Sequence, residues 1–185
     1  MSNGEVGTST SNQGTTEKPP TLAVMQARRS IRKYSEQPVS EDQVKQLLEG
    51  AMAAPSGHNL QPWHFIVVRD AELRAALAAT HEFSGMIGSA PVAIVVCAEK
   101  GAVHWLEDSC LAAGNILLAA AALGLGAVWV AVYPHEEHDL FVRGVLEVPD
   151  DVGIVCMVPV GYPAEQKAPR TKYDARKVHF ERFGT

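Results

Sequence analysis

From about Val103 to Leu123 the chain is apolar over most of a helical circumference, a pattern that a surface helix with one polar face does not show. Such a helix needs cover on more than one side. The stretch from Leu111 to Leu125 is interrupted by Gly114 and Asn115 and falls short of the roughly 20 apolar residues that span a bilayer, so it reads as a buried helix rather than a membrane anchor. A chain of 185 residues forms one sizeable core, yet one small domain rarely surrounds a helix this completely. Self-association is the simplest source of the missing cover, because an obligate dimer interface resembles a core cut in half.

The rest of the chain alternates short helices and strands around that segment. Leu22, Val24 and Met25 open a short helix ending near Ser30. Ser40 and Gln43 form a capping box for a helix that carries Val44, Leu47, Leu48 and Met52 at helical spacing and stops at Ala54-Pro55. Trp63 to Val68 reads as a strand; Asp70 caps a helix to about Thr80 with Leu73, Ala76 and Leu77 facing inward. The following HEFSGMIGSA segment has no clear period. The continuous β-branched run Val92 to Cys97 has the pattern of a strand covered on both faces. Gly124 and Gly126 end the long helix, Ala127 to Val132 is a further strand, Pro134 to Leu146 a helix with acidic Glu136 and Glu137 in its first turn, and Val152 to Val160 the last internal strand. Residues 1–20 lack the apolar bulk to offset ordering entropy and read as a disordered tail, leaving 21–185 as the domain. The stretch Tyr162 to Thr185 is charged but ends in Val178, Phe180 and Phe183, which need a surface to pack on; a partner subunit is the candidate.

Charge limits the partners. With 16 basic and 21 acidic residues the net charge is -5, so the overall field repels nucleic acid and anionic membrane, and any basic site is local. The N-terminus has no basic start and no apolar run, unlike a secretory signal, and three widely spaced cysteines give no disulfide framework; the chain reads as cytoplasmic.

Two constellations can carry chemistry. In the basic run Arg28-Arg29-Ser30-Ile31-Arg32-Lys33, an extended backbone sends Arg28, Ser30 and Arg32 to one side, two guanidinium forks and a hydroxyl that complement a phosphate monoester. Each such charge-assisted bond is worth ~1.5–3 kcal/mol. The alternative is a solvated helix end whose cations favour the C-terminal dipole. In the loop Pro55 to Gln61, Ser56, Asn59 and Gln61 can read a heterocycle while Gly57 permits close backbone approach; the alternative is a polar turn before a strand. His58 is placed at the rim of such a pocket and His64 is not.

RRSIRKY, then a capped helix, APSGHNLQPWHFIVV, a buried helix running into ALGLGAVWVAVYP, VPVGYP, and a tail with KAPR and VHFERF together resemble the FMN-dependent nitroreductase family over about residues 22–183. The resemblance implies an α+β fold, a central mixed but largely antiparallel sheet flanked by helices, and an intertwined homodimer whose C-terminal arm wraps the partner. It implies two FMN sites at the interface, with Arg28 and Ser30 at the phosphate, Arg29 in the same segment, and Arg32 near the ribityl chain or the pyrimidine edge. It further implies Pro55, Ser56, Gly57 and Asn59 from the other subunit beside the isoalloxazine, and the Val130-Ala131 backbone running past the ring. Lys167 and Arg170 match C-terminal cations that close on the phosphate. NADH or NADPH would reduce the flavin and a nitroaromatic, quinone or related small molecule would reoxidise it by a ping-pong route; the alternative is an FMN carrier or redox-responsive protein without nicotinamide turnover. The segment Phe83-Ser84-Gly85-Met86 lacks the Asn and Lys that many relatives place at the pyrimidine edge, and Trp129-Val130-Ala131 lacks the acidic residue some carry beside the ring.

Other readings weigh less. His135-Glu136-Glu137-His138 is not HExxH and has no third ligand at recognisable spacing. Gly124-Leu125-Gly126 follows a helix and meets Trp129 where a dinucleotide loop needs its third glycine, so it is a helix stop. Cys110 lies in an apolar helix and reads as packing rather than nucleophile.

Overall fold

The computed structural model describes residues 20–168 and 172–184. The tail expectation, apart from Pro20, and the Arg170 assignment lie outside them. The elements run α1 (Pro20–Ala27), α2 (Glu41–Met52), β1 (Trp63–Val68), α3 (Ala71–Leu77), α4 (Met86–Ser89), β2 (Val92–Glu99), α5 (Trp105–Ala122), β3 (Gly126–Ala127), β4 (Val130–Ala131), α6 (Glu136–Leu146) and β5 (Val152–Gly161).

The sheet follows from the alternation along β2. Val92, Ile94 and Val96 enter one core, with Leu47 and Ala51 of α2 and Ala112, Ala113, Ile116 and Ala120 of α5. Ala93, Val95 and Cys97 enter the opposite core, with Leu77, Ile87 and Val142 from α3, α4 and α6. A strand whose residues point alternately to two faces must be apolar throughout when helices cover both. β5 is its counterpart, buried from Gly153 to Gly161. The order is β1-β2-β5-β3 with β4 also on β5, and every strand pair is antiparallel. Among the described residues the one parallel element is an isolated bridge between Ser30 and Ala127. The α+β architecture expected from the sequence is therefore observed.

Several local expectations change. The strand expected over Ala127 to Val132 is two short pieces, β3 and β4, yet Ala127 opposes Val160 and Val130 opposes Met157, so the register runs unbroken past Val128 and Trp129. The first helix stops at Ala27, before the basic run. α3 ends at Leu77, and Leu73 is 40% exposed rather than inward. The segment without a period contains α4. Both caps form as read: Ser40 Oγ accepts from Gln43 N–H while the Gln43 side chain accepts from Ser40 N–H, and Asp70 accepts from Leu73 N–H.

Apolar surface remains where self-association was expected. Leu111 on α5 is 49% exposed, and Phe180 and Phe183 of the C-terminal segment are 72% and 92% exposed. No helix among the described residues is long and apolar enough to cross a membrane.

Candidate active site: a cationic cradle on the sheet edge

Ile31 sets the geometry of the basic run. Its N–H donates to Ala127 O at 3.1 Å, and its side chain is buried against Gly126, where a Cβ would lie 2.6 Å from Ile31 Cγ2. Because the extended backbone alternates, anchoring Ile31 inward turns Ser30 and Arg32 outward. Arg28 precedes them just past the end of α1, its N–H donating to Val24 O at 2.9 Å.

The C-terminal segment buckles onto this run. Ser35 N–H donates to Tyr162 O and Ala164 N–H to Lys33 O, each at 2.9 Å. Arg32 N–H donates to Glu165 Oε1 at 2.6 Å, Lys167 Nζ pairs with that carboxylate at 3.1 Å and donates to Ser30 O, and Arg29 Nε donates to Ala168 O at 3.0 Å. The Arg32 N–H and the Lys167 ammonium hold the Glu165 carboxyl below its ordinary range. Tyr34 fastens the inner side, its hydroxyl donating to Ile31 O at 2.7 Å, and burial pushes its phenol upward.

The result is a cavity of about 510 Å³. It is lined by Arg28, Arg29, Ser30 and Arg32 of the basic run, by Lys167, Ala168 and Lys172 of the C-terminal segment, and by Met25 and Gln26 of α1. The three side chains read as one face of an extended run do share one space. Among the described residues the Arg28, Arg32 and Lys172 side chains make no hydrogen bond or ion pair, whereas Arg29 is committed to backbone carbonyls and Lys167 to the buckle. Lys172 was missed from sequence: nothing in TKY marks it beyond being one more cation in a charged tail.

The Pro55–Gln61 loop is organised by α5. Gly57 N–H donates to both carboxylate oxygens of Asp108, at 3.0 and 3.1 Å, and a Cβ on Gly57 would meet His104 Cδ2 at 2.6 Å. The close approach expected at Gly57 is thus to His104 of the same chain. Ser56 Oγ accepts from Gln61 N–H at 3.0 Å and Gln61 Nε2 donates to Asn59 Oδ1 at 2.9 Å, which leaves the Ser56 hydroxyl hydrogen and the Asn59 amide N–H groups as donors without a partner among the described residues. His58, Asn59 and Gln61 all have left-handed backbone, at φ 52°, 56° and 52°. Each such residue costs of order 1 kcal/mol and persists only where its surroundings over-determine it. His58 is exposed beside this loop, and His64 instead sits 3.4 Å from Glu99. Asp108 and His104 went unread because a carboxylate in an apolar helix shows no partner in sequence when that partner is a backbone N–H 51 residues away.

Val130 is buried and Ala131 half-buried in β4. Neither they nor the Pro55–Gln61 loop line the cationic cavity.

His81 joins the histidine pair, its ring 4.6 Å from that of His138, with His135 at 4.7 Å from His138. The His81 and His138 rings stack rather than converge, and no group of three or more His, Cys, Asp or Glu among the described residues is placed to hold a metal. Burial, then His81 and His135, lower the affinity of His138 for a proton. Burial pushes the Cys97 thiol up to about 12 and raises Cys110 and Cys156 as well, which disfavours a thiolate nucleophile.

Fold and cradle together define a class: an antiparallel sheet sandwiched between helices, with a cation-lined cavity where the N-terminal and C-terminal segments meet on its edge. A model of the nitroreductase family matches residues 25–83 and 77–162, and the chain belongs to that family. A relative from Methanothermobacter thermautotrophicus, whose name pairs NADH dehydrogenase with NAD(P)H nitroreductase, is 40% identical over 174 residues, 92% of this chain and 91% of its own length. The structure of an FMN-dependent nitroreductase from Clostridium difficile R20291 is 34% identical, covers 88% of this chain and 99% of that one, and superposes with a TM-score of 0.84. An FMN complex from Desulfovibrio desulfuricans is 30% identical, covers 90% and 99%, and has a TM-score of 0.77.

Proposed function

We propose that this chain is an NAD(P)H-dependent FMN oxidoreductase that works as a homodimer and passes electrons to nitroaromatic, quinone or related acceptors by ping-pong kinetics. One observation carries the reading: Arg28, Arg32 and Lys172, without a partner among the described residues, line one cavity together with Ser30, in a protein of net charge -5. Cations without partners on a concave surface fit a phosphoryl group, which offers several acceptor oxygens to planar and point donors together.

Bound FMN would supply an isoalloxazine that accepts hydride from NADH or NADPH and releases electrons to the acceptor. The residues of this chain bind and orient it. Arg28 and Ser30 hold the phosphate, with Lys172 on the same cavity and Arg170 as a further cation; Lys167 acts by locking the cradle through Glu165 and Ser30. Arg32 serves the ribityl chain or the pyrimidine edge, where its charge favours the reduced, anionic ring. The Val130-Ala131 backbone runs beside the ring, and Pro55, Ser56, Gly57 and Asn59 form the opposite wall from the partner subunit. A site made in two halves accounts for a phosphate cavity that contains none of the loop. In this reading the C-terminal arm wraps the partner and covers its Phe180 and Phe183.

The test is anaerobic reduction of the FMN-loaded protein. The flavin absorbance bleaches on adding NADH or NADPH and returns on adding a nitroaromatic or a quinone. FMN that is bound but untouched by either nicotinamide contradicts the enzyme and leaves a carrier.

A further inference from the structure

Asp108 is the one buried charged side chain among the described residues, 4% exposed on a helix whose other buried positions include Ala112, Ala113 and Ile116. A carboxylate taken out of water needs donors, and an apolar side chain would pack that helix at less cost. The donor here is the Gly57 N–H, received by both oxygens. It lies at the start of a loop in which three non-glycine residues hold left-handed backbone. At its Cα Gly57 abuts the His104 ring, so two residues at the start of α5 hold the loop.

We infer that Asp108 is a positioning residue for the flavin site: it fixes Gly57 so that Ser56 and Asn59 present their free donors to the ring bound by the partner subunit. This rests on the proposed function, because it assigns that loop to the wall of an FMN site. Asp108 touches neither cofactor nor substrate. It acts through Gly57, whose N–H it occupies and thereby withholds from the flavin.

Asp108→Asn keeps the volume but leaves one neutral acceptor, and Asp108→Ala leaves none, so the effects should be graded. In the FMN-loaded protein, amide exchange at Gly57 followed by mass spectrometry should accelerate at least tenfold in the Asn variant and further in Ala. The visible circular dichroism of the flavin should change and the KM for a quinone should rise, while FMN affinity falls less than in Arg28→Ala. If the Asp108 variants do not fold, Gly57→Ala displaces the same segment against His104 without touching the carboxylate, and the same flavin changes are expected. Unchanged Gly57 exchange overturns the tether. Faster exchange with unaltered dichroism and KM overturns the positioning role and leaves a fold contact alone. Wild-type protein that takes up no FMN overturns the functional reading, and this inference with it.

Discussion

Gly126→Ala couples the core to the cradle. The new methyl would sit 2.6 Å from Ile31 Cγ2 and 2.7 Å from Ile31 Cβ. Ordinary carbon contacts lie near 3.5–4.0 Å, so the two must separate by about 1 Å. Because the Cβ of Ile31 is itself in the way, no rotamer change relieves the contact and the backbone of residues 30–32 has to move. That strains the Ile31 N–H bond to Ala127 O. Overpacking of this kind costs about 1–3 kcal/mol, and a weakened backbone bond adds about 1 kcal/mol. Stability measured by urea denaturation should fall by roughly 2–4 kcal/mol, and FMN affinity of the still-folded protein should fall with it, since Ser30 and Arg32 flank the displaced residue. A variant that loses stability yet binds FMN as tightly as the parent would refute the idea that Ile31 sets the cradle.

Three further outcomes are expected. Ser40→Ala removes the capping box of α2 and should cost about 1 kcal/mol in the same denaturation assay with no change in flavin binding. His138 faces His81, His135 and Glu137, and the fold lowers its pKa from the ordinary 6.5; the unfolded chain therefore takes up the proton first, stability is complete above 6.5 and declines as the pH falls below it. Thermal unfolding from pH 7.5 to 5 should show that decline, and His138→Gln should flatten it. Leu111→Glu places a charge on the exposed apolar side of α5, and light scattering at micromolar concentration should show the wild type as a dimer and the variant shifted toward monomer.

The layered fold was legible because its signals are local and repeated: the run at Val92 to Cys97, the caps at Ser40 and Asp70, the helix stop at Gly124. α4 escaped because four residues carry no period. The break between β3 and β4 escaped because Val128 and Trp129 are as β-prone as their neighbours and the register does not shift across them. For the site, Arg28, Ser30 and Arg32 were readable from the alternation of an extended backbone. Lys172, His104 and Asp108 were not, because what gives them a role is chain folded back from far away in sequence.

If the cradle grips the terminal phosphate of FMN, the affinity of the purified protein for FMN against riboflavin, titrated under the same conditions, shows it directly. Two or more charge-assisted bonds at ~1.5–3 kcal/mol each predict that riboflavin binds at least about a hundredfold more weakly, and that Arg28→Ala shrinks the gap by roughly tenfold or more. Equal affinity for the two flavins would mean that the cradle does not hold the phosphate.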